Sequence, residues 1–335
     1  MGYGNVFLQG ENVQVSSSPL LKSDACQWRV MNYEGEVVTE GSLSQEASTS
    51  LQLNHLPVGY YRIESLNAEK QQVGWTSLAV LPRWKGKASP DSPVCVDAAI
   101  AWFARDDIEK QKRFAQLVEL AGVSWVRDRM NWGELETEWV QFAEGTTYDT
   151  SAQAQSEQGL QVLQVFHSTP KWAWNETLDG ENPGKRFPRD LRHLYHFCKK
   201  VSLMYKGQIQ AWEPWNEANI EPFGGHPIDE MCSLQKAAYW GLKMGVPDIV
   251  ACWNVFAGAG NPLQTEGILL NEVWPYFDTY NIHSYAGFET YEKQFDTARE
   301  AACGKPLWIT ECGIRLPAET EGPWGELSPE DERRQ

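Results

Sequence analysis

The stretch QAWEPWNEANIEPFGG (Gln210 to Gly225) sets a Trp-Asn-Glu step among further aromatic rings and acids, and PLWITECG (Pro306 to Gly313) carries a second glutamate. A carboxyl group lodged among rings such as Trp212 and Trp215 loses hydration of its anion, so its pKa rises and it keeps a proton near neutrality. A carboxylate beside a guanidinium does the opposite, because charge pairing and hydrogen bonding favour the ionised form. Arg127, in WVRDRMNW, is available for that role. Glu217 and Glu311 are therefore a candidate pair, one able to hold a proton and the other ionised. A lone glutamate is more often a helix-start or surface acid, so the case depends on whether both sit at the ends of strands in one fold.

The hydrophobic period changes near residue 85. Before it, short alternating runs such as CQWRVMNYEGEVVTEGSL and QQVGWTSLAVLP are broken by turn residues, the grammar of an all-β sandwich. Residues 1–84 are expected to form this Ig-like accessory domain, and the Pro-, Gly- and Ser-containing 85–92 a linker. From residue 93 to 335, strand and helix signals alternate. VCVDAAIAWF, VSWVRDRMNW, LQVLQVFH, IQAWEPWNE, DIVACWNVF, YNIHSY and PLWITECG read as strands. DIEKQKRFAQLVELAG, YDTSAQAQSEQG, RDLRHLYHFCKKVSLMYKG, PIDEMCSLQKAAYWGLKMG, GILLNEVWPYFD and YEKQFDTAREAACGK read as the intervening helices. None of the turns carries a dinucleotide-type glycine loop, which favours an α/β fold of the (β/α)8 TIM-barrel type over a Rossmann sheet. SPEDERRQ reads as the start of a seventh helix, so strand eight is not supplied and the barrel is expected to be incomplete at its C-terminus, a piece of a longer protein.

In such barrels chemistry lies at the C-terminal strand ends. There the sequence places Arg127 and Arg129 (strand two), His167 and Trp172 (three), Asn216 and Glu217 (four), His283 and Tyr285 (six) and Glu311 (seven). Two glutamates facing each other across a barrel mouth are what retaining glycoside cleavage requires, one protonating the leaving oxygen and the other attacking the sugar. Trp132, Trp172, Trp174 and Trp253 lie at or beyond strand ends, where flat rings stack on sugar faces; two of the four are expected to do so. Glu213, on a strand body, and Glu221, in a loop, read as structural.

WNEAN and WITECG, each closing a strand, resemble the acid/base and nucleophile motifs of glycoside hydrolase clan A, with a layout similar to families 39 and 5, over roughly residues 93 to 313. The resemblance implies Glu217 as acid/base, Glu311 as nucleophile and Asn216 as the contact to the sugar 2-hydroxyl. It also implies that Arg127 lies beside the nucleophile and that His283 and Tyr285 supply the strand-six groups. The tryptophan that strand eight usually places under the sugar has no counterpart here.

Composition bounds the partners. With 29 basic against 45 acidic side chains, a net charge of −16 repels nucleic acid and anionic membranes. No apolar run of about 18 residues is present and the N-terminal residues lack a signal-peptide pattern, so no membrane partner is expected and the compartment stays open. Seven cysteines without CxxC or CxxH spacing read as buried thiols rather than disulfides or a zinc site, and no metal or cofactor is expected. The resemblance implies a carbohydrate as the partner. Two alternatives remain: a non-catalytic carbohydrate-binding barrel, and a metal-dependent barrel enzyme using Glu217, His283 and Glu311 as ligands.

Overall fold

The computed structural model describes residues 4–43, 50–175 and 183–313. The chain divides into two compact units, Met1–Lys87 with Leu120–Gly122 and Ala88–Glu119 with Val123–Gln335. In the first, strands β1 (Val6–Leu8), β2 (Val13–Ser16), β3 (Gln27–Asn32), β4 (Val37–Ser42), β5 (Ser50–Leu53), β6 (Gly59–Leu66) and β7 (Gln72–Leu81) form a five-stranded sheet, ordered β1-β7-β6-β3-β4, and a β2-β5 pair. Alternation sorts their faces. Tyr61 and Ile63 enter a core with Val13, Val15, Val30 and Leu78. Arg62 and Glu64 fall on the other face, where Glu64 accepts from Arg29 and Arg62. Gly35, at φ 85°, closes the β3–β4 hairpin in a conformation that glycine adopts without strain.

The second unit runs β8 (Cys95–Asp97), α1 (Ile100–Ala104), α2 (Ile108–Leu120), β9 (Trp125–Asn131), α3 (Trp132–Leu135), the hairpin β10 (Glu136–Glu138) and β11 (Gln141–Phe142), α4 (Thr147–Glu157), β12 (Gln161–His167), α5 (Leu191–Met204), β13 (Ala211–Pro214), α6 (Ile228–Gly245), β14 (Val250–Ala251), α7 (Pro262–Leu270), β15 (Tyr280–Ser284), α8 (Tyr291–Ala302) and β16 (Leu307–Cys312). This is a mixed α/β fold. Its parallel sheet has the order β14-β13-β12-β9-β8, and β15 pairs parallel with β16. A single bridge, Cys252 to Thr279, continues the sheet toward β15. Among the described residues no ladder joins β16 back to β8, so the barrel is not closed. Cys95, Trp125, Leu163, Trp308 and Ile309 line a cavity of about 520 Å³ on that side. The helix start read in SPEDERRQ lies outside the described residues.

The helices form where apolar spacing and caps agree. In α5, Leu194, Phe197, Cys198 and Val201 fall on one buried stripe, and the Asp190 side chain caps the first turn by accepting from Arg192 N. Helix α4 starts at a reciprocal Thr146–Asp149 capping box. Helix α6 lies so close to α5 that a Cβ on Gly241 would collide with the Tyr195 carbonyl. Helix α7 differs from the expectation. It begins at Pro262, capped by Asn261, and ends at Leu270, because Asn and Pro supply a start signal upstream of GILLNEVW.

Strand β9 shows how the sheet aims its side chains. With both faces covered, every second residue turns to the helices and the others to the barrel interior. Asp128 faces the helices, fully buried, and accepts from Ala101 N, Arg129 N, Ser151 Oγ and Gln155 Nε2. Its neighbours Arg127 and Arg129 face the interior.

Candidate active site

Arg127 is the hub of the interior. Its side chain is 3% exposed, and its Nη1 donates to Asp97 Oδ2 at 2.9 Å and Glu311 Oε1 at 2.5 Å. Its Nε donates to Glu213 Oε1 at 3.2 Å, and its Nη2 to Glu213 and, at 2.7 Å, to Asn216 Oδ1. Burial alone would favour loss of the proton, but Glu213, Asp97 and Glu311 outweigh it and raise the guanidinium pKa. Glu213, on β13, is fully buried and receives Asn281 Nδ2 as well as Arg127, consistent with a structural carboxylate.

Strand ends bring the predicted residues together above this hub. Arg129 Nη2 donates to Glu311 Oε1 at 2.8 Å and also to Asp97. Tyr285, just past β15, donates its hydroxyl to Glu311 Oε2 at 2.7 Å. The ring of His283 is fully buried; its Nδ1 lies 2.7 Å from Glu217 Oε1 and 3.5 Å from Glu311 Oε2. One donor atom each from Glu217, His283 and Glu311 lie within 4.8 Å of one another. These three could hold a cation, but Glu311 Oε1 already accepts from two guanidinium groups, which compete for it.

Burial pushes the Glu311 carboxyl up, while His283, Arg127, Arg129 and the Tyr285 hydroxyl pull it down further, leaving its pKa at about 2. The group is therefore ionised throughout the range in which enzymes work. Because the folded-state pKa lies below the ordinary 4.5, its stabilising contribution is complete above about pH 4.5 and lost as pH falls through about 2. Wild-type protein is expected to lose about 3 kcal/mol more stability than Glu311→Gln on going from pH 7 to pH 2. Urea denaturation across that range, following the transition of the second unit, measures the difference.

Backbone conformation fixes Glu217. Strand β13 stops at Pro214, and Trp215 and Glu217 then take left-handed φ of 76° and 45°, values costly for residues with a Cβ. The loop holds them there. Trp215 N donates to Phe166 O, Trp215 Nε1 to Phe223 O, and His226 N to Ala218 O. Asn219 clasps the neighbouring loop, accepting from Ala257 N at 2.8 Å and donating to Ala257 O.

Several expected ring contacts are corrected. Trp212 and Trp215 do not box a carboxyl; both are core rings, Trp212 against Phe166 and Tyr205, Trp215 against Phe187 and His226. Period-two alternation turns Trp212 to the helices when Glu213 faces inward. Trp253 and Trp132 are fully buried too. Trp253 stacks with Tyr280 and Trp132 with Phe197, so neither offers a face to a sugar. Trp172 is half-buried, donating Nε1 to Glu136 O against Trp132 and Trp139. His167 ends β12 with its Nδ1 2.8 Å from Ser168 Oγ. Burial, helped by Arg129 and Arg127, drops its pKa to about 4, so the ring is neutral. The cysteines depart from the all-buried reading as well. Cys198, Cys232 and Cys252 are buried, but Cys95, Cys303 and Cys312 are exposed, Cys95 and Cys312 on strands that, among the described residues, have a neighbour on one side only.

The strand-end reading missed Asp97 and Asn281. Asp97 closes β8, so the rule that found Glu311 also selects it; Asn281 lies inside β15 and carries no comparable signal.

No protein-family model matches the chain, and no curated protein sequence does. Solved structures do. A family 39 glycoside hydrolase from the gut symbiont Bacteroides cellulosilyticus WH2 aligns with a TM-score of 0.64 at 18% identity, over 94% of this chain and 68% of that one. The chain resembles the clan A glycoside hydrolases in fold. A beta-glycosidase aligns with a TM-score of 0.48 at 17% identity, covering 63% of this chain and 68% of its own. An exo-beta-1,4-mannosidase from Opitutaceae bacterium strain TAV5 gives 0.46 at 13% identity, covering 67% and 46%. Among the described residues no helix is long and apolar enough to cross a membrane.

Proposed function

We propose that the chain is a glycoside hydrolase that cleaves β-glycosidic bonds of an oligo- or polysaccharide with retention of configuration, by double displacement. The observation that carries the reading is the approach of the Glu217 and Glu311 carboxyl groups, an oxygen of each lying within 4.8 Å of the other, one from just beyond β13 and the other from β16, strands that do not pair with each other. Retaining pairs sit about 5–5.5 Å apart and inverting pairs about 6.5–9.5 Å, the latter leaving room for water between them. The short separation favours direct attack. Ionised Glu311 attacks the anomeric carbon; Glu217 gives its proton to the departing oxygen and then takes one from water to release the glycosyl-enzyme. Asn216, its oxygen taken by Arg127, has N–H groups to offer the sugar 2-hydroxyl, and Tyr285 orients Glu311.

The test is the anomer released first. Proton NMR of an aryl β-glycoside during cleavage is expected to show the β-hemiacetal before mutarotation. Release of the α anomer would replace the mechanism with inversion. Loss of activity in a chelator, restored by a divalent cation, would favour the metal-dependent reading, and binding of sugar without turnover the non-catalytic one.

A further inference from the structure

We infer that this site takes glycosides whose sugar rings are uncharged and excludes uronides, and that Asp97 is the residue setting the discrimination; this rests on the glycosidase reading above. Asp97 Oδ2 shares Arg127 Nη1 and Arg129 Nη2 with Glu311 Oε1, so the two carboxylates lie on the same pair of guanidinium groups. Its side chain is 21% exposed, more open than those of Glu217 at 14% and Glu311 at 11%. Asp97 is therefore the carboxylate of this group that solvent, and a ligand, reaches most readily.

Recognition of a sugar carboxylate needs a cation with donors to spare, usually arginine in a bidentate pose. Among the described residues at these strand ends each arginine is already paired with two or more carboxylates. Arg127 spends its donors on Asp97, Glu213, Asn216 and Glu311, and Arg129 pairs with Asp97 and Glu311. His167 is neutral. Two guanidinium groups thus face four carboxylates, Asp97, Glu213, Glu217 and Glu311, so carboxylates outnumber the guanidinium groups here. A uronate brought here meets like charge within a partly desolvated site, where repulsion is strong. A neutral sugar instead finds acceptors for its hydroxyl hydrogens. The chain's net charge of −16 adds long-range repulsion of polyuronides.

The experiment compares kcat/KM on neutral and uronic substrates: aryl β-glucoside, β-galactoside, β-mannoside and β-xyloside against aryl β-glucuronide, with neutral polysaccharides and polyuronides scored by reducing ends. Wild type is expected to favour its best neutral substrate over the matching uronide by on the order of 100-fold. Raising the salt should narrow that ratio a few-fold, because screening weakens repulsion. Asp97→Asn removes one negative charge and releases Arg129, and should move the ratio about 10-fold or more toward the uronide; Asp97→Ser is the second variant. The salt series needs no variant, so the inference stays exposed to test if neither folds. Preference of wild type for a uronide would overturn it, as would variants that lower both activities equally and leave the ratio unmoved. If wild type cleaves nothing in either class, the glycosidase reading itself falls, and the inference with it.

Discussion

Glu311→Ala should abolish turnover of every glycoside the wild-type protein cleaves, a loss on the order of 10⁵-fold or more, because no other group at the site can form the glycosyl-enzyme. Glu217→Ala should behave differently. Activated aryl leaving groups need little protonation, so they should still glycosylate the enzyme, whereas poor leaving groups should lose about 10²–10⁴-fold. Azide separates the roles by stereochemistry. In Glu217→Ala it should attack the accumulated intermediate and give a glycosyl azide of retained configuration. In Glu311→Ala it can only displace the leaving group directly and give the inverted azide. NMR of the two azides reads the answer. Exchange of the two outcomes would reverse the assignment, and unchanged rates in both variants would move the site elsewhere.

How much of this was legible in the sequence depends on what each signal reports. Strands β9, β12, β13, β15 and β16 announce themselves as short apolar runs, and collecting their last residues brings Arg127, Asn216, Glu217, His283 and Glu311 to one interior. Spacing along a strand also separates inward from outward residues, which is why Glu213 could be read as a strand-body acid. Spacing does not say what lies behind a ring. Trp132 and Trp253 have the right positions for a sugar platform, and Trp212 and Trp215 for flanking a carboxyl, yet each is buried in the core, because large rings stabilise most when fully buried. Nor does it reveal backbone sign. The left-handed φ of Trp215 and Glu217 depends on hydrogen bonds that Trp215 donates to Phe166 O and Phe223 O, that His226 N donates to Ala218 O, and that join Asn219 to Ala257, 38 positions on in the chain, which no local pattern couples. The carboxylate Asp97 was within reach of the strand-end rule but lies on a three-residue strand with a weak apolar signal.

Arg127→Met should both destabilise the fold by about 3–5 kcal/mol and remove activity, because it strips the partner from the fully buried Glu213 and one of the two guanidinium groups from Glu311. Those two losses have separate origins and can be separated. Adding Glu213→Gln removes the stranded charge while keeping an oxygen for Asn281, so the double variant should regain most of the lost stability in urea denaturation. Activity should not return with it. Glu311 would still lack Arg127, and Asn216 would have lost the donor that fixes its amide, so kcat/KM should stay down by at least about 100-fold in the refolded, stable protein. Glu213→Gln alone leaves Arg127 with Asp97 and Glu311 and should cost less than Arg127→Met in both measures. If the double variant recovered rate together with stability, Arg127 would be an internal ion pair of the barrel with no part in the chemistry, and Glu311 would owe its ionisation to His283, Arg129 and Tyr285 alone.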